Sequence, residues 1–361
     1  MKFYVTTPLY YLNARPHIGH AYTTILADVL SRAYRMADYE VRFLTGTDEH
    51  GQKVKEAAEQ NNIHPQEHCD HLAQDFKALW RKLNVHYDDF IRTTEVRHTD
   101  VVKRVLQILY DNGDIYEDEY EGWYCVPDER YWTEKEIVDG KCPLCGREVV
   151  KLKEKNYFFR MSKYQDWLVN YIQHHPDFIR PPSRRNEILS FLKQPLNDLC
   201  ISRPKKRLSW GVELPFDRNY VCYVWVDALL NYISAVGYTY NDDMFNVWWP
   251  ADCHIIGKDI LTTHSVYWIT LLKALGVQPP NLILAHGWWM VKEQKMGKSL
   301  GNVVDPDFLV DTLGLNEFRY FLMREMNPEA DATFSFDVIQ MRVNSELNDA
   351  IGNLIQRVFS M

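Results

Sequence analysis

The chain has 361 residues, 46% of them apolar and 25% charged, which suits several domains around a large core and excludes a disordered or fibrous protein. Its net charge of −8 excludes nonspecific coating of nucleic acid, so any such partner must be held by a local patch. No apolar run reaches the length of a membrane span and no signal-peptide pattern opens the chain, which predicts a cytoplasmic protein with no membrane partner.

The first expected element is a strand, Phe3 to Thr7, aromatic and β-branched and ended by Pro8. From His17 onward Ala21, Ile25, Val29 and Ala33 recur every four residues with Leu26 and Leu30 beside them, an amphipathic helix. Val41 to Thr45 then closes a βαβ unit. The helix start lies at the carboxyl edge of the sheet, where backbone N–H groups and the helix dipole favour a polyanion. His17 and His20, three apart, share one face of its first turn, either as a solvated cap or as a pair of donors to phosphate oxygens. Gly19 between them leaves room for a flat base to approach the backbone.

Gly46 to Gly51 reads as a turn at the next strand end, with Asp48 either capping the helix expected from Gln52 to Gln60 or binding an ammonium group. Helical patterns run from Gln66 to Leu83 and from Asp100 to Tyr110, with a short strand from Phe90 to Thr93 between them. After Gly113 the alternation is lost until about residue 220, which predicts an inserted domain of mixed structure. Within it, Cys142-Pro143-Leu144-Cys145-Gly146 has the spacing of a zinc knuckle, with Cys125 and Asp128 as the other half, or else is a relic knuckle of plain thiols. Cys69, Cys200, Cys222 and Cys253 read as buried small hydrophobes; seven cysteines, an odd number, do not suggest a disulfide framework. Arg180, Arg184, Arg185, Arg203, Lys205, Lys206 and Arg207 form a basic run, either a solvated face or a contact for a nucleic-acid backbone.

Alternation resumes with an expected strand from Tyr220 to Trp225 and a helix from Val226 to Val236. Further strands end at His254 to Asp259 and at Asn281 to Gly287, so that one carboxyl edge would be lined by Asp48, Trp225, Asp259 and His286. The fold class is therefore α/β, a doubly wound parallel sheet with an inserted mixed domain and a C-terminal helical segment. Lys292 to Asn302, a loop of three lysines and two glycines, is either plain surface or able to close over a polyphosphate.

The His17-Ile18-Gly19-His20 and Lys295-Met296-Gly297-Lys298-Ser299 segments together resemble the paired signatures of class I aminoacyl-tRNA synthetases. Thr6 to Tyr11, Gly46 to Gly51, Tyr223 to Ala228, Ile256 to Ile260 and Ala285 to Trp288 are similar, in order, to the methionyl-tRNA synthetase family. The resemblance implies a Rossmann-like class I catalytic domain in two halves, 1–115 and 220–291, around a connective domain, 116–219. A lysine-loop and stem-contact region, 292–342, and the first helix of an anticodon-binding bundle, 343–361, would follow.

It further implies that methionine, ATP with Mg²⁺, and tRNA(Met) are the partners, with a structural Zn²⁺ on Cys125, Asp128, Cys142 and Cys145. His17, His20, Lys295 and Lys298 would be catalytic; His17, Gly19, His20, Gly257, Asp259 and Lys298 would hold ATP. Leu9 and Asp48 would meet the methionine ammonium, and Tyr11, Trp225, Tyr232 and His286 would enclose its side chain, where a thioether suits aromatic edges. Gly297 and Asp128 stand where the family has serine and cysteine. The apolar stripe Val343, Leu347, Ile351, Leu354, Ile355 and Val358 has no later helix to cover it, which predicts a monomer that activates methionine and charges tRNA poorly. A class I enzyme for another amino acid, such as cysteine, and a noncatalytic tRNA-binding module are the alternatives.

Overall fold

The computed structural model describes the chain apart from residues 127–129, 133, 135, 144, 292–293 and 296–303, and apart from the side chains of 120, 121, 130, 131, 291, 294 and 295. Its centre is a parallel sheet. Strand Lys2–Thr6 pairs on one side with Glu40–Asp48, which pairs in turn with Asp89–Arg92. On the other side it pairs with Cys253–Gly257, followed by Ile283–His286 and the two-residue Ile179–Arg180.

Alternate residues of these strands enter two separate cores. Tyr4, Leu44 and Ile256 face one, while Phe3, Val5, Phe43 and Ile255 face the other. Both faces of the sheet are thus covered, as a parallel sheet requires. Helix Ile18–Met36 lies across the second face and buries Ala21, Ile25 and Ala27; Val29, expected in its stripe, is exposed.

The helices expected after Asp48 appear as Gln52–Gln60, Pro65–Lys82 and Val96–Asp111. The strand Glu40–Asp48 runs through the segment read as a turn, because Gly46 and Thr47 still pair with Ile91 and Arg92. The inserted region is built on a long antiparallel pair, Ile115–Cys125 against Val150–Phe159, with helices Gln165–His174 and Pro182–Phe191 beyond it.

Three further expectations are corrected. Tyr220–Cys222 is a strand, but it pairs antiparallel with Ser202–Pro204, outside the parallel sheet. Residues Val224–Leu229 are already helical, so Trp225 sits in a first helical turn rather than at a strand end. Ile179–Arg180, inside the stretch read as insertion, forms the sheet's far edge. At the C-terminal end Phe336–Arg342, Val343–Gly352 and Asn353–Phe359 follow one another as helix, the middle one with π-type bonding. Leu354 and Val358 there are 62% and 59% exposed. No described helix is long and apolar enough to cross a membrane.

Candidate active site

At the carboxyl edge of the sheet lies a cavity of about 430 Å³. Its wall includes Leu9, Tyr11, His17, Gly19, His20, Asp48, Trp225, Tyr232, Gly257, Asp259 and His286, all expected from the sequence, together with Lys53 and His264, which were not.

The histidine pair is both a cap and a part of the wall. His17 is the N-cap of helix Ile18–Met36: its Nδ1 accepts from Gly19 N at 3.1 Å, while His17 N donates to His20 Nδ1 at 3.2 Å. The two rings stack with centroids 3.8 Å apart. With both Nδ1 atoms accepting, each neutral ring carries its proton on Nε2, as a donor. A Cβ at Gly19 would lie 2.9 Å from His17 Cε1, so the glycine gives room first to the capping ring itself.

Asp48 ends its strand, and the N-cap of the next helix is Gly51. The residues after it are fixed from behind. Buried Glu49 takes both Arg92 Nε, at 2.6 Å, and Arg92 Nη2, at 2.9 Å, and also accepts from the Thr47 and Thr94 hydroxyls. His50 Nδ1 donates to Asp227 Oδ2 at 2.6 Å, and His98 Nε2 donates to Asp227 Oδ1 at 2.9 Å. Burial pushes the Asp227 carboxyl up, but the two imidazoles outweigh it and hold it at about 2. Asp227 shares its helix with Trp225 and Ala228, both in the cavity wall, so one carboxylate joins the Asp48 strand end to the tryptophan.

Behind Tyr232 the packing is equally committed. Its hydroxyl lies 2.8 Å from His264 Nε2, and His264 Nδ1 donates to Ile260 O at 3.0 Å, so Nε2 accepts from the tyrosine. Burial lowers His264 to about 4, keeping it neutral. The other face of Tyr232 stacks on His254 at 4.2 Å. His286 reaches the first helix through the Thr23 hydroxyl at 2.8 Å and donates from Nδ1 to Gly287 O at 2.7 Å; burial lowers its pKa as well. At Gly257 a Cβ would come within 2.6 Å of Asp259 Oδ1, so this glycine lets Asp259 fold back over the strand end.

His264 could have been found from the sequence: it stands four residues after Ile260, on the same side of one helical stretch. Lys53, five residues past Asp48, reads by itself as a solvated helix lysine. Lys298 lies outside the described residues, and of Lys295 only the backbone is described, antiparallel to Met290.

Away from the cavity, the Cys125, Cys142 and Cys145 sulfurs lie within 4.8 Å of one another, with Cys125 and Cys145 at 3.5 Å. Tetrahedral Zn–S bonds of about 2.3 Å place sulfurs roughly 3.7 Å apart, so the set fits such an ion. Asp128 lies outside the described residues. All seven cysteines stand as thiols.

The basic run is not one patch. Arg180 pairs with Asp177, Arg184 with Glu187, Lys205 with Glu213 and Arg207 with Glu154. Arg203 is buried against the rings of Tyr124 and Tyr223. Five of the seven cations of the run thus have a local partner.

A family model described as tRNA synthetases class I (M) matches residues 3–151 and 144–359. The methionine–tRNA ligase of Caldanaerobacter subterraneus is 49% identical over 99% of this chain and 56% of its own length. That of Rickettsia conorii is 50% identical over 99% of this chain and 70% of its own. The chain thus spans little more than half the length of several curated relatives it matches. Among solved structures, Mycobacterium tuberculosis methionyl-tRNA synthetase in complex with methionyl-adenylate is similar at a TM-score of 0.95, with 44% identity over 100% of this chain and 71% of that one. Its apo form is similar at 0.83, with 41% identity over 99% and 68%.

Proposed function

The chain belongs to the class I (M) family of tRNA synthetases, and on that premise we propose that its cavity joins methionine to ATP, giving methionyl-adenylate and pyrophosphate, and passes methionyl to the terminal adenosine of tRNA(Met). The observation that carries this reading is one cavity holding a carboxylate, an aromatic wall and a pair of ring donors at a sheet edge. The closer likeness to the adenylate-bound relative than to its apo form supports it.

Methionine's ammonium meets Asp48 and the Leu9 backbone, while Tyr11, Trp225, Tyr232, His264 and His286 enclose the thioether. A neutral His264 holding the Tyr232 hydroxyl suits an uncharged side chain, because a cationic wall would favour polar competitors. ATP, with the Mg²⁺ it brings, lies over His17, Gly19 and His20, with Gly257 and Asp259 at the ribose. A methionine carboxylate oxygen attacks the α-phosphorus, and the bond to the β-phosphate breaks as pyrophosphate leaves. The histidine Nε2–H groups donate to phosphate oxygens as charge grows on them, with Lys295 and Lys298 in the same role from the other side. No covalent bond to the enzyme forms; catalysis is orientation and charge stabilisation.

Segments 1–115 and 220–291 supply the cavity, 116–219 the connective domain, 292–342 the lysine loop and stem contacts, and 343–361 the start of the anticodon-reading bundle. Zn²⁺ on Cys125, Cys142 and Cys145 would be structural, pinning the tip of the insertion. Methionine-dependent exchange of pyrophosphate into ATP tests the reading. His20→Gln keeps a side-chain acceptor for His17 N but removes the ring; it should lower kcat by about a hundredfold or more with methionine affinity within about twofold. Exchange driven by a different amino acid, or a collapse of methionine affinity at unchanged kcat, would overturn it.

A further inference from the structure

The formally charged side chains among the described residues of the cavity wall are Asp48, Asp259 and Lys53. An amino acid arrives as a zwitterion. Asp48 suits its ammonium, but two aspartates repel its carboxylate, and ATP adds further negative charge. Something cationic must stand near the amino-acid end of the cavity.

Lys53 is the second residue of helix Gln52–Gln60, which begins just past the Asp48 strand end. Its Nζ lies 5.6 Å from the centre of the Tyr11 ring. Tyr11 belongs to the two-residue strand Tyr10–Tyr11, which pairs in parallel with Glu40–Asp48 and sets Tyr11 in register with Asp48. Carboxylate, ring and ammonium therefore adjoin. The turn between Asp48 and Lys53 is held at each step: Glu49 by Arg92, His50 by Asp227, and Glu49 O by the Trp210 indole N–H at 2.6 Å. The backbone that carries Lys53 is placed as firmly as the one that carries Asp48, and the long lysine stem has only to reach inward.

We propose that Lys53 binds the α-carboxylate of the amino acid, opposite the hold of Asp48 on the ammonium, and so orients the attacking oxygen. This rests on the reading of the cavity as a methionine site. Its test is isothermal titration of methionine and of methioninol, the alcohol that lacks the carboxylate, into the wild-type chain and into the Lys53→Met and Lys53→Arg variants, each checked for unchanged thermal melting.

Lys53→Met should weaken methionine binding on the order of tenfold, as expected for a partly buried charge-assisted bond, and leave methioninol binding unchanged. Lys53→Arg should stay within about threefold of wild type for both. Equal weakening of both ligands by Lys53→Met, or of neither, overturns the assignment. If the wild-type chain binds neither compound, the methionine reading falls and takes this one with it.

Discussion

The cavity gathers histidines and carboxylates and the tip of the insertion gathers thiols, and the two hold them by different means. At the cavity two stretches of the wall are braced from behind: the strand end at Asp48 by Glu49, Arg92, His50 and Asp227, and Tyr232 by His264 and His254. At the tip, Cys125, Trp132, Cys142 and Val149 form a separate small cluster, joined to the body through the far end of a long antiparallel pair. A site braced by its own polypeptide is set before any ligand enters. A cluster of four buried residues is small, and an ion held by its thiols would add order that so few apolar contacts supply weakly.

The largest expected effect comes from breaking the brace. Asp227→Ala leaves the His50 and His98 donors buried with no acceptor and should destabilise the chain by about 3–5 kcal/mol in urea unfolding. Asp227→Asn, which keeps an acceptor for one imidazole, should cost roughly half as much. A loss under about 1 kcal/mol for Asp227→Ala would mean that the cavity is not self-braced and that the contrast with the tip is false.

Much of this was legible in the sequence because the parallel sheet writes both of its faces into each strand and its ligand edge into the residues just after. The change of period at His17 announces the first helix and the glycine at 257 a strand end, while the polar residues after Leu44, read as a turn, still belong to their strand. Four things were not legible. The apolar run from Tyr220 carries no sign of whether it pairs within the main sheet or beside it, and the pairing with Ser202–Pro204 is set by tertiary packing. A two-residue edge strand at Ile179 has no pattern of its own. The basic run looked like a patch because sequence nearness hides acidic partners that arrive from elsewhere, Glu154 and Glu213 among them. The brace itself, His50 to Asp227 to His98, joins three distant segments and was invisible for the same reason.

Acid should dissolve the cavity in a defined window. His264 has an ordinary pKa of 6.5 that burial depresses to about 4 in the folded chain, and His254 and His286 are depressed too. Below 6.5 the unfolded chain therefore binds protons that the folded one refuses. Stability is complete above 6.5 and falls as the pH drops toward 4, by about 3 kcal/mol for His264 alone at the lower end. His264→Asn, which keeps polar partners for Tyr232 and Ile260 without a titrating ring, should flatten that slope in urea unfolding measured from pH 7 to pH 4. An unchanged slope would show that His264 is not kept neutral by its place in the wall. Asp227, held at about 2, loses its contribution only as the pH falls below the ordinary 3.8, so the brace outlasts the histidines.

The smallest effect on chemistry should come from the tip. Cys145→Ser removes one of three converging thiols and should abolish zinc retention, read by metal analysis of the purified chain, and expose the segment from 125 to 149 to protease. Methionine-dependent pyrophosphate exchange should change by less than about twofold, because neither core of the sheet includes the tip cluster. Loss of exchange along with the metal would tie the two regions together: the antiparallel pair Ile115–Cys125 and Val150–Phe159 enters the first core at Ile115 and Phe159, and it offers a continuous path for strain from the thiols to the strand ends around the cavity.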